Sequence, residues 1–214
     1  MLRRLETYGF HPDTTPEQID ELARVLRRTG WFIPEVLDSA VGLNRSSAGV
    51  DLVWEHSYES PAAYARYMCQ PYHICILDRY LLPEAPECIT ASRRELMLGL
   101  MGYEIDGAPF RRDRGIRRIV ALKAAAGSSD FDAFAAELEA RPGLSVSVVA
   151  PNTMGLEWFP TGWTHLWEQA YDDDGAMEAA IVDEPELLAH GPVTEWIDIH
   201  YEIDQEDAPA EAVR

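Results

Sequence analysis

The chain has 214 residues, 47% of them hydrophobic, which is long enough for two domains that each build a core. Its formal net charge of −19 argues against nucleic acid as a partner, because an acidic surface repels the phosphate backbone. No stretch approaches the roughly 20 apolar residues of a membrane span, and the first residues lack the apolar run of a secretion signal, which predicts a cytoplasmic protein without a membrane partner.

The first half of the sequence predicts a strand, a helix, two strands, further helical segments and a closing strand. Thr15 is a suitable N-cap and Pro16 suits the first helical turn, so a helix is expected to run from there to about Arg28. The strands are predicted at 3–8, 36–43, 50–58 and 96–105, and the later helical segments at 61–68 and 72–82. The second half predicts the same order, at 117–123, 129–140, 144–149, 163–171, 175–182 and 194–203.

An internal repeat relates the two halves. The segment 51–58, Asp-Leu-Val-Trp-Glu-His-Ser-Tyr, aligns with the segment 164–171, Thr-His-Leu-Trp-Glu-Gln-Ala-Tyr, so that Trp54 matches Trp167. Each copy predicts βαββαβ, the ferredoxin-like unit, whose sheet needs a cover on the face away from its helices. We therefore predict an α+β fold of two tandem ferredoxin-like repeats that form one intramolecular pseudo-dimeric α/β-barrel. The predicted units are 1–108 and 115–204, with an acidic tail at 205–214.

The cysteines and the missing motifs limit the chemistry. Three cysteines without a Cys-x-x-Cys pair predict free thiols. Cys69, His73 and Cys75 are close in sequence, but their spacing matches no usual zinc pattern, so no metal site is expected. No dinucleotide fingerprint, phosphate-binding glycine loop or Gly-x-Ser-x-Gly elbow is present. The sequence therefore predicts that no cofactor is used.

Several short segments resemble a known family. They are Gly-Leu-Asn at 42–44, the strand at 49–58, Tyr-Met-Cys-Gln-Pro-Tyr-His at 67–73, Gly-Trp-Thr-His at 162–165 and Asp-Glu-Pro-Glu-Leu at 183–187. In these the chain resembles the stress-responsive dimeric α/β-barrel (Dabb) proteins, including the olivetolic acid cyclase-like members, in a fused two-copy form. The resemblance covers nearly the whole chain. It implies a pocket between helices and sheet, and chemistry by a tyrosine and histidines without a cofactor.

Carried over by residue, the resemblance favours a site in the first half. The family tyrosine matches Tyr67, and the histidine that follows the helical proline matches His73. The third-strand histidine falls on Leu52 in the first copy and on His165 in the second. The first-strand histidine falls on Arg4 and Arg118. In the second copy Ile181 and Leu187 replace the tyrosine and the proline-linked histidine, so neither half keeps the full set.

These residue types suit proton transfer next to a carbonyl group. His73 is expected in the first turn of a helix, where the helix dipole disfavours the imidazolium and keeps a general base neutral. The Tyr67 phenol is suited to hydrogen-bond a developing enolate, and Arg4 to anchor an anionic oxygen. The alternatives are that His73 caps its helix, Tyr67 is a core aromatic residue and Arg4 pairs with a surface acid.

Strand alternation predicts an aromatic face around this trio. Leu52, Trp54, His56 and Tyr58 are expected on one face of the third strand, with Tyr72 nearby. The predicted substrate contacts of the second copy are Arg118, His165 and Trp167. Such a face suits a ring-bearing ligand, and it equally suits an ordinary core.

The function predicted from these features is a cofactor-independent lyase or cyclase that acts on a small hydrophobic, polyketide-like carbonyl compound. One alternative is a non-catalytic barrel that binds a small molecule. Another is a haem-dependent enzyme with His165 or His73 as axial ligand. A homodimer of fused barrels is a further possibility that the sequence leaves open.

Overall fold

Two four-stranded antiparallel sheets, each with helices on one face, make up the computed structural model of the chain. The structure describes residues 1–82, 84–91, 100–106, 115–125, 129–141, 146–153 and 162–203. The predicted fold class, two ferredoxin-like repeats in one α+β barrel, is confirmed. In the described residues, no helix is both long and apolar enough to cross a membrane.

The first sheet carries the N-terminal repeat. Its strands are β1 (Leu2–Tyr8), β2 (Val36–Leu43), β3 (Leu52–Tyr58) and β4 (Leu100–Glu104). Its helices are α1 (Pro16–Arg27), α2 (Thr29–Phe32), α3 (Pro61–Tyr67) and α4 (Asp78–Leu81), and a π-helical turn (His73–Leu77) leads directly into α4.

The second sheet repeats this plan. Its strands are β5 (Ile116–Ala124), β6 (Val146–Pro151), β7 (His165–Tyr171) and β8 (Val193–Glu202). Its helices are α5 (Phe131–Glu139), α6 (Asp174–Ala180) and α7 (Glu184–His190). The strand orders β2-β3-β1-β4 and β6-β7-β5-β8 are the same when the halves are superposed by element, which confirms the repeat read from the sequence.

The predicted and the observed elements differ at their ends, and the helices α2 and α7 were not predicted. The third strand of each half begins two residues later than predicted, at Leu52 and at His165. The predicted helix 72–82 is divided, because a π-helical turn precedes α4. Thr15 caps α1 as predicted: its side chain accepts from the Gln18 backbone N–H, and the Gln18 side chain accepts from the Thr15 N–H. Residues 107–114, where the two predicted units meet, and the predicted acidic tail at 205–214 lie outside the described residues.

Alternation along the strands separates the barrel interior from a helix-side core in each half. One face of each sheet packs on its own helices, and the other faces meet as the interior of the barrel, with Leu5, Val53, Met101, Leu166 and Ile199 among the buried residues. This sheet-against-sheet core supplies the cover that each isolated unit would lack.

The barrel closes where strands of different halves meet. Arg45, just beyond the end of β2, donates its backbone N–H to the carbonyl of His200 in β8 at 2.8 Å. The equivalent seam lies beyond β6, where the Thr153 N–H donates to the Gly102 carbonyl at 2.8 Å. The end of β2 therefore bonds to β8, and the end of β6 bonds to β4, so that each seam joins the two halves of the chain.

Candidate functional site

A polar cluster lies between the first sheet and its helices. On β1, Arg4, Glu6 and Tyr8 alternate with residues that face the barrel interior, and all three are buried. The antiparallel register places His56 of β3 opposite Arg4. The helix-facing side of this sheet thus combines a cation, a carboxylate and an imidazole. It lies in the first half, where the sequence predicted the site.

Arg4 is buried with few acceptors around it. Its Nη2 lies 2.8 Å from Oε1 of Glu6, and its Nη1 lies 4.0 Å from the Met68 sulfur. The Tyr64 ring covers the guanidinium at 4.5 Å, and the Arg4 Nε has no hydrogen-bond partner among the described residues. Burial is the largest single effect and opposes the charge, but the Glu6 carboxylate and the nearby tyrosine hydroxyls together raise the pKa of Arg4 above its ordinary value. Arg4 is therefore a permanent buried cation with donors to spare.

Glu6 also connects Arg4 to a short polar chain. The Tyr8 hydroxyl donates to Glu6 Oε2 at 2.5 Å, and His56 Nε2 lies 3.5 Å from Glu6 Oε1. On the other side of the ring, His56 Nδ1 and the Tyr58 hydroxyl are 2.7 Å apart. Burial lowers the pKa of His56 to about 4, so the imidazole is neutral near neutral pH. Nδ1 of His56 therefore shares a hydrogen bond with Tyr58, whereas Nε2 faces Glu6 without a hydrogen-bond partner among the described residues.

Tyr67 and His73 complete the cluster from the helical side. The two rings meet edge to face with centroids 4.6 Å apart, and Tyr67 also packs 5.1 Å from Tyr58. Burial raises the pKa of Tyr67 far above its ordinary value, so its hydroxyl stays protonated. His73 is half-buried at the start of the π-helical turn, a feature that is frequent at functional sites. The structure thus brings the predicted trio, Arg4, Tyr67 and His73, to one place.

The remaining predicted contacts of the first half line the same side of the sheet. Leu52 is fully buried there. Trp54 stacks on His56 at 3.9 Å and donates from its indole to Ser39 Oγ at 2.8 Å, which fixes both rings. Tyr72 lies farther out, stacked on Phe32 at 4.7 Å, and burial raises its pKa to about 12.

The aromatic rings of this cluster pack against one another, and Tyr67 contacts His56, Tyr58 and His73. Hollows of about 570 Å³ and 560 Å³ lie elsewhere, along α1 and β2 and between α5 and α7. The outer side of the cluster reaches solvent at Met68, which is 39% exposed, and at the half-buried Tyr64 and His73. A ligand that reaches Arg4 therefore has to displace flexible groups such as the Met68 thioether.

The equivalent position in the second half is occupied differently. Arg118 donates to Asp198 at 2.6 to 2.9 Å, to Gln169 Oε1 at 2.8 Å, and to Glu184. Gln169 stands where the first half has His56, and Val120 stands where it has Glu6. Arg118 was predicted to contact substrate, but these acceptors already occupy its donors.

The other two predicted contacts of the second half are structural in character. Trp167 is buried and donates from its indole to Ser147 Oγ at 2.9 Å, as Trp54 does to Ser39. His165 lies at the beginning of β7, where partial burial lowers its pKa. Counted from the N-caps Ser60 and Asp173, Ala180 rather than Ile181 stands at the position of Tyr67.

The packing around His73 and His165 tests the predicted haem ligation. An axial imidazole needs open space for the macrocycle above one ring nitrogen. The ring of His73 packs against Tyr67, while that of His165 lies 4.0 Å from Phe131 with Nδ1 2.9 Å from Thr164 Oγ1. As packed, the described residues do not fit a haem at either histidine.

Three members of the cluster were missed in the sequence: Glu6, Tyr8 and Tyr64. The available signal was the alternation Arg4-x-Glu6-x-Tyr8 on the first strand, which puts three polar-tipped side chains on the helix-facing side. In the second half the same positions read Arg118-x-Val120-x-Leu122, so the contrast between the halves was visible before the structure.

Comparisons with known proteins place the fold. No protein-family model matches the chain, and no curated protein matches it in sequence. Among solved structures, an anthrone oxidase-like protein matches 99% of this chain over 94% of its own, with 17% identity and a TM-score of 0.62. A proposed monooxygenase from Lactobacillus acidophilus matches 97% of each chain, with 11% identity and a TM-score of 0.59. A chlorite dismutase from Candidatus Nitrospira defluvii matches 95% of this chain over 90% of its own, with 9% identity and a TM-score of 0.58.

These comparisons correct the predicted function. The matching structures are named for oxidation and dismutation chemistry, whereas the sequence predicted a cofactor-independent lyase or cyclase, and that prediction is wrong. The error came from transferring an activity along with a fold that hosts several chemistries. At these identities the likeness establishes the fold: the chain is built as a dimeric α/β-barrel of the kind seen in monooxygenase-like and chlorite dismutase-like structures, with both copies in one polypeptide.

Proposed function

We propose that the first half is the site of an oxygen-dependent oxidation of a small ring-bearing phenol or enolisable carbonyl compound. The observation that carries the proposal is the one-sided distribution of reactive groups. Both halves have the arginine, Arg4 or Arg118, but Glu6, His56, Tyr67 and His73 accompany it only in the first half. The corresponding residues of the second half are Val120, Gln169, Ala180 and Leu187. The names of the structural neighbours support oxidation as the reaction class.

The proposed reaction needs no reductant other than the substrate. A ring methylene next to a phenol or carbonyl loses a proton and becomes an electron-rich anion. That anion donates its electrons to O₂, so that one oxygen atom becomes the new carbonyl oxygen. The other oxygen atom leaves as water with the two hydrogens of the methylene, and atoms and electrons balance.

Each residue of the cluster has a role in this proposal. His73 is the general base, because His56 is fully buried with its Nδ1 bonded to Tyr58, whereas His73 lies nearer to solvent. Tyr67 remains protonated and donates to the developing anionic oxygen. Arg4 holds that oxygen electrostatically, and Glu6 keeps the unliganded guanidinium paired. Leu52, Trp54, His56, Tyr58 and Tyr72 are the proposed walls.

The test is oxygen uptake by the purified chain with an anthrone, whose ring methylene is conjugated with its carbonyl, followed by detection of ¹⁸O in the product after reaction under ¹⁸O₂. Tyr67→Phe removes one hydroxyl and is expected to lower kcat by about 10²-fold or more, as for loss of an oxyanion donor. The matched control is Tyr171→Phe, which removes a hydroxyl bonded to Gln169 in the second half and should leave kcat unchanged. Equal rates for the two variants, or no enzyme-dependent uptake, would contradict the proposal.

A haem-dependent oxidation is the second candidate, supported by the similarity to chlorite dismutase. The rings packed against His73 and His165 oppose it, since one of them would have to move. The same assay distinguishes the two: oxygen uptake that appears only after haemin addition, with a Soret band lost in His73→Leu or His165→Leu, would favour haem.

Within this fold, we propose that the chain is a fused relative of the Dabb proteins with oxidising chemistry in place of cyclase activity. The repeated motif of β3 and β7 and the Tyr67-to-His73 segment support this assignment. Free Cys69, Cys75 and Cys88 support a cytoplasmic location. The proposed partner is the small hydrophobic substrate.

A further inference from the structure

The second half contains a built-in carboxylate ligand for its arginine. Glu184, the first residue of α7, is fully buried and its carboxylate contacts Arg118 Nη1. The same carboxylate lies 3.5 Å from Nε2 of Gln169, the residue that corresponds to His56 of the first half. A carboxylate inserted from the helical layer thus satisfies the arginine on the first strand of this repeat.

The first half has the arginine without this carboxylate. Glu184 precedes Pro185, and the residue that precedes the matching Pro71 is Gln70. The Gln70 side chain turns away from Arg4 and donates to Glu35 Oε2 at 2.9 Å. The second acceptor of Arg118, Asp198, also has no counterpart, since Leu100 stands at its register position.

The result is an arginine that is buried to the same degree as its mate but keeps unused donors. Arg4 and Arg118 are each 3% exposed. Arg118 meets Asp198, Gln169 and Glu184. Among the described residues, Arg4 meets Glu6 through Nη2 and only a sulfur through Nη1. A buried guanidinium N–H without an oxygen acceptor is costly, and an arriving anionic oxygen would relieve that cost.

We propose that Arg4 is an anion-anchoring subsite for a ring-bearing substrate with a carboxylate or phenolate oxygen, bound where Glu184 places its carboxylate in the second half. This inference rests on the proposed function for its substrate and names the chemical class that the site takes. The rings of Tyr58, Tyr64 and Tyr67, within 5.1 to 5.9 Å of one another, form the aromatic surroundings for the substrate ring. Met68, partly exposed and against Arg4, is the group that the substrate displaces.

The first experiment compares three probes by calorimetry: 2-naphthoate, 2-naphthol and 2-naphthamide. Naphthoate is expected to bind more tightly than naphthamide by a factor of about 10 to 100, the contribution of a charge-assisted hydrogen bond. Tight naphthoate binding identifies a carboxylate subsite, whereas tighter naphthol binding that strengthens as its hydroxyl ionises identifies a phenolate subsite. Equal binding of acid, alcohol and amide would overturn the proposal.

The second experiment exchanges the two residues before the prolines. Gln70→Glu supplies the first half with the carboxylate of the second and should weaken naphthoate binding by about 10-fold or more while Arg4 stays in place. Glu184→Ala frees Arg118 and should add a second, weaker naphthoate site, with acetate restoring part of the lost thermal stability. The proposal would be overturned if Gln70→Glu bound naphthoate with unchanged affinity and Glu184→Ala bound it with unchanged stoichiometry. If one variant does not fold, the result for the other variant is used alone.

These outcomes separate the subsite from the reaction. Naphthoate binding that Gln70→Glu blocks, without oxygen uptake on any substrate, would retain the anion subsite and reject the oxidation. Oxygen uptake on neutral ring compounds, with naphthoate and naphthamide binding equally, would retain the oxidation and reject the subsite.

Discussion

Arg3 on β1 donates from Nη2 to Oε1 of Glu168 on β7 at 2.6 Å, and this contact joins residues 165 positions apart across the barrel interior. The same nitrogen lies 2.7 Å from Glu55, and the pseudo-symmetric Arg117 lies 3.3 Å from Glu55. Tyr103 donates to Glu168 and Tyr201 donates to Glu55 at 3.2 Å, so each carboxylate receives one tyrosine. The two sheets are thus fastened by a buried network related by the internal pseudo-twofold axis.

Breaking this network at one carboxylate is expected to be costly. Glu168 is fully buried, and although burial opposes its charge, Arg3 and Arg117 lower its pKa below the ordinary value. Glu168→Gln leaves two buried guanidinium groups with one carboxylate fewer, and we expect a loss of about 3 to 5 kcal/mol in the free energy of unfolding by urea.

The control for this prediction is an exposed ion pair. Glu21 and Arg24 lie 2.5 Å apart on α1 with side chains 40% and 45% exposed. Glu21→Gln should cost less than about 1 kcal/mol. A cost for Glu168→Gln no larger than that of Glu21→Gln would show that the central network does not hold the halves together.

The seam between β2 and β8 depends on the missing side chain of Gly42. A Cβ there would lie 2.3 Å from Tyr201 Cδ2 and 2.5 Å from the Glu202 carbonyl oxygen. Gly42→Ala therefore forces the strands apart, and we expect a loss of about 2 to 3 kcal/mol measured by urea unfolding. Gly30→Ala is the control, since its nearest contact would be 3.4 Å from the Val36 carbonyl oxygen; comparable losses in both variants would count against a tight seam.

His56 should make the protein sensitive to acid. Its pKa of about 4, lowered by burial, lies below the value of about 6.5 for an exposed histidine, so the unfolded chain takes up a proton first as pH falls. Stability from the neutral ring is therefore complete above about pH 6.5 and is lost as the pH falls toward 4.

The matched variant is His56→Gln, which copies Gln169 of the second half. Between about pH 7.5 and about pH 5, wild type should lose about 2 kcal/mol more unfolding free energy than the variant. The comparison cancels the carboxylates common to both proteins. Parallel pH profiles would mean that His56 has the same pKa in the folded and unfolded states, so that burial does not keep the ring neutral.

The proposed base is tested by copying the second half into the first. His73→Leu introduces the residue found at Leu187, keeps an apolar contact with Tyr67, and removes the ring nitrogens. We expect kcat for oxygen uptake to fall by about 10² to 10⁴, the usual contribution of general base catalysis. Circular dichroism and the melting temperature should stay close to wild type, and undiminished kcat would assign the base elsewhere.

The architecture could be predicted from the amino-acid sequence. The repeated Trp-Glu segments and the twofold alternation of buried side chains require two similar sheets, because each strand presents alternate residues to opposite faces. Tyr67 and His73 are six positions apart in the sequence, with Pro71 between them, and the structure places their rings in contact. These features are local or periodic, and such patterns can be read without coordinates.

Tertiary packing determines which residues each face of a strand contacts. Alternation predicts that the adjacent Arg3 and Arg4 point to opposite sides, but not that Arg3 enters a network with the other half while Arg4 stays short of acceptors. Likewise, Arg118 meets Glu184, which lies 66 residues away, only after α7 packs on the second sheet. The chemistry of a buried charge depends on partners brought from distant parts of the chain, and packing alone brings them together.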